Sequence, residues 1–112
     1  MEQGKTKPVF DQESVLERIG GDTEFLKELI ELFKSDYPEK LAQLSKGIKD
    51  KNYKTIKETA HSIKSASGNL SLTRVYDLSF KMEDMGKEGK IQDIEKAYNK
   101  LEEELGKIKN LF

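Results

Sequence analysis

A chain of 112 residues is sized for one domain with a modest core, and its 20 basic and 21 acidic residues leave a net charge of −1. That balance offers no electrostatic handle for nucleic acid or an anionic membrane surface. Cysteine is absent, which excludes disulfides, thiolate zinc sites and cysteine nucleophiles.

Residues 1–10 are polar at first and carry Gly4 and Pro8, so a loose tail is expected there, with the folded domain spanning 11–112. They hold no apolar signal core, and no later run is long enough to span a membrane, so the reading is a cytoplasmic protein. Asp11 can cap a short helix that carries Val15, Leu16 and Ile19 on one face and stops at Gly20-Gly21. Those three residues either cap a bundle or lend apolar surface for docking.

Asp22 is the next cap, followed by Phe25, Leu26, Leu29, Ile30 and Phe33 at helical spacing. Pro38 interrupts the pattern before Leu41, Leu44 and Ile48 resume it, which allows one long helix or two that meet at the proline. After a turn at 49–52, a helix over 53–70 places Tyr53, Ile56, Ala60, Ile63, Ser67 and Leu70 on its inner stripe. It either continues through "SASG" or ends near Ser65, leaving "SASGN" as a loop. A break near Ser71 precedes a helix with Val75, Leu78, Met82 and Met85, closed by "GKEG" at 86–89. The last helix carries Ile91, Ile94, Tyr98, Leu101, Leu105 and Ile108, and its end, "GKIKNLF", is expected to fray. No segment alternates as a strand does. The expected fold is all-α, an up-and-down antiparallel four-helix bundle with a short accessory N-terminal helix.

His61 is the only histidine. At about 100° per residue it points well away from the stripe through Ile56, Ala60 and Ile63, towards solvent. Lys57, Lys64 and Ser65 share its face at three- or four-residue spacing, with Lys54 and Gly68 two turns away. The nearest carboxylate along the helix is Glu58. An exposed histidine among lysines is ordinary by itself. Serine and glycine inside a helix are less so, since Gly costs about 1 kcal/mol against Ala. A neutral imidazole with a free lone pair is a nucleophile, and nearby ammonium groups attract and offset a phosphoryl dianion. Small neighbours let a second protein approach. These are the requirements of phosphoryl acceptance.

"AHSIKSASGNLSL" resembles the motif of the histidine-containing phosphotransfer (HPt) domain family. His61 matches its phosphoacceptor, Ile63 and Leu70 its aliphatic positions, Lys64 its lysine, and Ser67 and Gly68 its small positions. "GGDTEFLKELIELFKSDYPEKLAQL" and "LSFKMEDMGKEGK" resemble the family's helices on either side, so the likeness covers most of 11–105. Ser65 and Ser71 stand where the family has glycine. The resemblance implies a phosphorelay intermediary, not an enzyme. His61 would accept a phosphoryl group from a receiver-domain aspartyl phosphate, or from a histidine kinase, and pass it to a response-regulator aspartate. Lys64 would stabilise the phosphoryl group. Ser65 and Gly68 would give clearance, or in the case of Ser65 a hydrogen bond, and Lys57 a peripheral charge. The implied partners are receiver domains and hybrid sensor histidine kinases. The chain would hold no cofactor or metal, with Mg²⁺ supplied by the receiver, and would act as a monomer.

Two other readings use the same residues: an adaptor bundle that binds receivers without phosphate chemistry, and the phosphoacceptor part of a larger chemotaxis-type kinase. One histidine, no cysteine and no glycine-rich phosphate loop leave an independent enzyme few nucleophile–base pairs, and Glu102, Glu103 and Glu104 point in different directions on a helix. A di-metal bundle would need two Glu-x-x-His pairs, and there is one histidine.

Overall fold

The computed structural model describes residues 7–111. It contains five helices: α1 (Gln12–Arg18), α2 (Thr23–Lys49), α3 (Tyr53–Asn69), α4 (Thr73–Glu88) and α5 (Ile91–Ile108). Helix α2 packs on α3 and α5, and α4 packs on the same two, which closes a four-helix bundle with α1 against α2. The core is the sum of the inner stripes, with Leu26, Ile30 and Leu44 facing Ile56, Ile63, Met82, Ile94, Leu101 and Leu105, all fully buried. No described helix is long and apolar enough to cross a membrane.

The helix starts follow local chemistry. The Asp11, Asp22 and Asn52 side chains accept hydrogen bonds from the backbone N–H groups of Ser14 (3.2 Å), Phe25 (3.0 Å) and Thr55 (3.2 Å). Each satisfies one of the donors that a helix N-terminus leaves without a partner. Gly20 and Gly21 end the first segment at φ 77° and 80°, a region that side chains with a Cβ rarely enter. Val15 of α1 is buried, and Leu16 and Ile19 pack half-buried on the core, so this face caps the bundle.

Pro38 lies inside a continuous α2 of 27 residues, on the exposed side. The hydrogen bond it forgoes is therefore on the solvent side, and burial of Phe33, Tyr37 and Leu44 around it holds the helix together. Helix α3 also continues through "SASG". The buried Ser67 hydroxyl donates to the carbonyls of Ile63 (2.7 Å) and Lys64 (3.1 Å), so its burial leaves no orphan. Helix α4 runs past Gly86, which is buried in it; a Cβ there would lie 3.4 Å from the Lys57 backbone.

Two segments are better ordered than the sequence suggests. Helix α5 does not fray at Gly106: Ile108 is fully buried and Leu111 is half-buried on the core, with the Lys34 ammonium bonded to its carbonyl. Ile108 simply extends the Leu101–Leu105 stripe. Of the expected tail, residues 1–6 lie outside the described residues, while Val9 and Phe10 pack on the core. Thr73 and Arg74 side chains donate to the Pro8 and Lys7 carbonyls (2.5 and 2.6 Å), and Lys7 pairs with Asp77 at 2.7 Å.

The α3–α4 turn is a Schellman closure: Leu72 N–H bonds the Ser67 carbonyl (2.9 Å) and Ser71 N–H the Gly68 carbonyl (3.2 Å). Ser71 occupies the left-handed position at φ 57°, which explains why glycine is usual there. Its hydroxyl accepts from Arg18 (2.9 Å), which also bonds the Asn69 carbonyl (2.8 Å), and its carbonyl accepts from Asp11 N–H (2.9 Å). The serine thus exchanges some backbone ease for an anchor to α1. Ser71→Ala keeps the strained backbone and removes the anchor, whereas Ser71→Gly relieves the strain; the glycine variant is expected to be the more stable of the two by about 1 kcal/mol in urea denaturation.

Candidate functional site

Helix α3 carries His61 to the surface, where its side chain is 58% exposed. Directly beneath, Ala60 and Ile63 face the core, so the backbone under the ring is held by packing. Lys64 and Ser65 follow one turn on, Ser65 exposed and the Lys64 side chain 21% exposed. Lys57 is half-buried one turn before, its backbone against Gly86 of α4. The structure therefore gathers His61, Lys57, Lys64 and Ser65 on one face, as the helical spacing predicts.

The face is not free of acid: Glu83 of α4 reaches His61 Nδ1 at 3.0 Å and Lys64 Nζ at 2.7 Å, one carboxylate oxygen to each. Among the described residues, Glu58, the nearest acid along the helix, forms no ion pair. Glu83 escaped the sequence reading because it lies on another helix. A signal existed: in a hairpin closed at Leu70–Leu72, Glu83 lies about as far after the turn as His61 lies before it.

The Lys64 hydrogen bond is the main reason that the Glu83 carboxyl sits below its ordinary range; partial burial opposes it, and the His61 bond adds to it. Glu83 is thus ionised near neutral pH and can only accept hydrogen bonds. A neutral His61 ring bonded to it must carry its proton on Nδ1, which leaves the Nε2 lone pair for chemistry. The same contact pushes the Lys64 ammonium up from its usual value.

Gly68 has a different setting from the one its spacing suggests. The room left by its missing Cβ is taken by the Tyr76 ring, whose Cδ1 would stand 3.1 Å from a Cβ at that position. Its smallness serves the α3–α4 contact two turns from His61. On the other flank, Lys40 of α2 donates to the Ser62 hydroxyl at 2.5 Å, next to His61. An apolar groove opens there between α2 and α3, lined by Leu29, Leu32, Ile63 and Ala66, with Leu32 60% exposed. Neither Lys40 nor this groove was visible from the α3 motif. Among the described residues, no group of three or more His, Cys, Asp or Glu is placed to hold a metal ion.

The pH dependence follows from these shifts. A carboxyl lowered in the folded state contributes stability that is complete above its unfolded pKa and is lost as pH falls through the folded one. A lysine raised in the folded state loses its contribution only at alkaline pH. Urea midpoints between pH 7 and pH 3 are therefore expected to fall more steeply for the parent chain than for Glu83→Gln, the two converging at the acid end.

The Hpt domain family model matches residues 28–111. The crystal structure of histidine-containing phosphotransfer protein B (HptB) from Pseudomonas aeruginosa PAO1 superposes with a TM-score of 0.83, covering 92% of this chain and 90% of that one at 19% sequence identity. That identity carries the fold alone. No curated protein matches the chain.

Proposed function

The chain belongs to the Hpt domain family, and on that premise we propose that His61 accepts a phosphoryl group from the aspartyl phosphate of a receiver domain, or from a histidine kinase, and passes it to a response-regulator aspartate. Hpt domains are phosphotransfer intermediates of phosphorelays, not enzymes. The observation that carries the assignment is the exposed ring of His61 with Nδ1 held by Glu83 at 3.0 Å.

In the forward step, the Nε2 lone pair attacks phosphorus. The N–P bond forms as the bond from phosphorus to the aspartyl oxygen breaks, and the electron pair leaves with the aspartate carboxylate. No proton has to move first. The Nδ1 proton stays on the ring, and the positive charge that the imidazole gains is offset by the Glu83 carboxylate, as a preorganised partner should. The return step to the second aspartate is the reverse. Lys64 lies one turn from His61 and would turn its ammonium to the phosphoryl oxygens, with Lys57 a weaker, peripheral charge. Exposed Ser65 is within one turn as well and could donate its hydroxyl to the same oxygens. Gly68 contributes clearance only indirectly, by seating Tyr76 close to α3.

The receiver supplies Mg²⁺ and its own acidic pocket in this reading, and the encounter takes place in the cytoplasm with a monomeric chain. The groove beside Lys40, with exposed Leu32, offers apolar surface on the neighbouring α2–α3 face for that receiver. When the chain is mixed with a phosphorylated cognate receiver, acid-labile, alkali-stable label is expected on the parent chain and none on His61→Gln. Equal labelling of His61→Gln would remove His61 as the acceptor.

A further inference from the structure

Phe80 of α4 is 48% exposed. It is not idle there. The Lys64 ammonium stands 5.3 Å from its ring centroid, within the range in which a cation is attracted to an aromatic face. The Tyr76 ring stands behind it, 6.3 Å away between centroids and inclined by 41°. Tyr76 itself is seated in the space that Gly68 leaves. A line of contacts thus runs from Gly68 through Tyr76 and Phe80 to Lys64, then to Glu83 and His61.

We propose that Phe80 is a positioning residue for phosphoryl transfer: its ring holds the Lys64 ammonium beside Glu83, one turn from His61, ready to move to the incoming phosphoryl group. The physical reason is entropic. A lysine side chain has four rotatable bonds, and an ion pair alone must restrain all of them to hold the ammonium in one place. A ring beneath the ammonium narrows those rotamers before the phosphoryl group arrives. The carboxylates around Lys64 are Glu83, which dominates, and Asp84, which is weaker. The ring adds orientation that these charges alone do not supply.

The inference rests on the phosphotransfer reading for its consequence, so the test has two arms. In the first, the unphosphorylated full chain is titrated by NMR at Lys64 Cε, assigned by comparison with Lys64→Gln. The Lys64 midpoint of the parent chain should lie above that of an ordinary lysine, move back towards it in Phe80→Leu, and stay raised in Phe80→Trp, which restores an aromatic face. In the second, label on His61 is chased to a receiver; the transfer rate should fall roughly two- to fivefold in Phe80→Leu, the range that an exposed cation–π contact supports, and recover in Phe80→Trp. Urea midpoints monitor folding of both variants. An unchanged Lys64 titration in Phe80→Leu overturns the proposal, and so does an unchanged transfer rate. If the parent chain takes no label at all, the phosphotransfer reading fails, while the titration still decides whether Phe80 positions Lys64.

Discussion

The pairing of α3 with α4 is the constraint on which the site rests. The two helices are joined by a turn of minimal length, closed by the Leu72–Ser67 and Ser71–Gly68 backbone bonds. They are drawn close by small residues on the seam, with Gly68 admitting Tyr76 and Gly86 meeting the Lys57 backbone. A hairpin so closed has one register. Once Ser71 takes its left-handed conformation and Leu72 is buried, each residue of α3 acquires a determined neighbour on α4. For His61 that neighbour is Glu83. Loosening the seam would separate the histidine from its carboxylate without touching either residue.

The chemistry of the site depends on one carboxylate serving two partners. Glu83 binds the imidazole Nδ1 and the Lys64 ammonium at the same time. The first contact orients the ring and aims Nε2 outwards. The second keeps the Lys64 cation one turn from His61 while nothing else is bound. In the proposed transfer, a phosphoryl group on His61 would bring negative charge next to Glu83, and a cation able to change sides would offset it. Lys64 fits because its stem is flexible and its charge compact. The arrangement is poised rather than rigid: His61 itself is well exposed, while the residues that orient it are mostly covered.

The serines and glycines around the motif separate into distinct roles. Ser67 is a core residue that satisfies its hydroxyl on its own helix. Ser71 is a turn residue tied to α1 by Arg18. Gly68 is a packing residue. Only Ser65 is left on the exposed face beside His61, so of the two positions where the resemblance has glycine, one concerns the turn and the other the His61 face. Arg18 and the Asp11 backbone draw the N-terminal segment onto that same turn, which makes α1 a brace for the α3–α4 hairpin.

The sequence by itself determined the helices, their buried stripes and the outward direction of His61, because all of these follow from periodicity and capping within one segment. Asp11, Asp22 and Asn52 are caps by residue type alone, and Lys57, Lys64 and Ser65 share the His61 face by spacing alone. It could not choose between a kinked and a broken α2, or between helix and loop at "SASG", since Pro38 and the serines weaken a helix locally and burial outweighs them. It expected fraying after Gly106, where Ile108 and Leu111 find the core instead. Glu83, Lys40 and Phe80 were decided by tertiary structure, because each reaches the site across a helix–helix seam. Contacts of that kind depend on register, and register here is set by the closure of the hairpin at Ser71 and by the packing of small residues, not by any spacing along one helix.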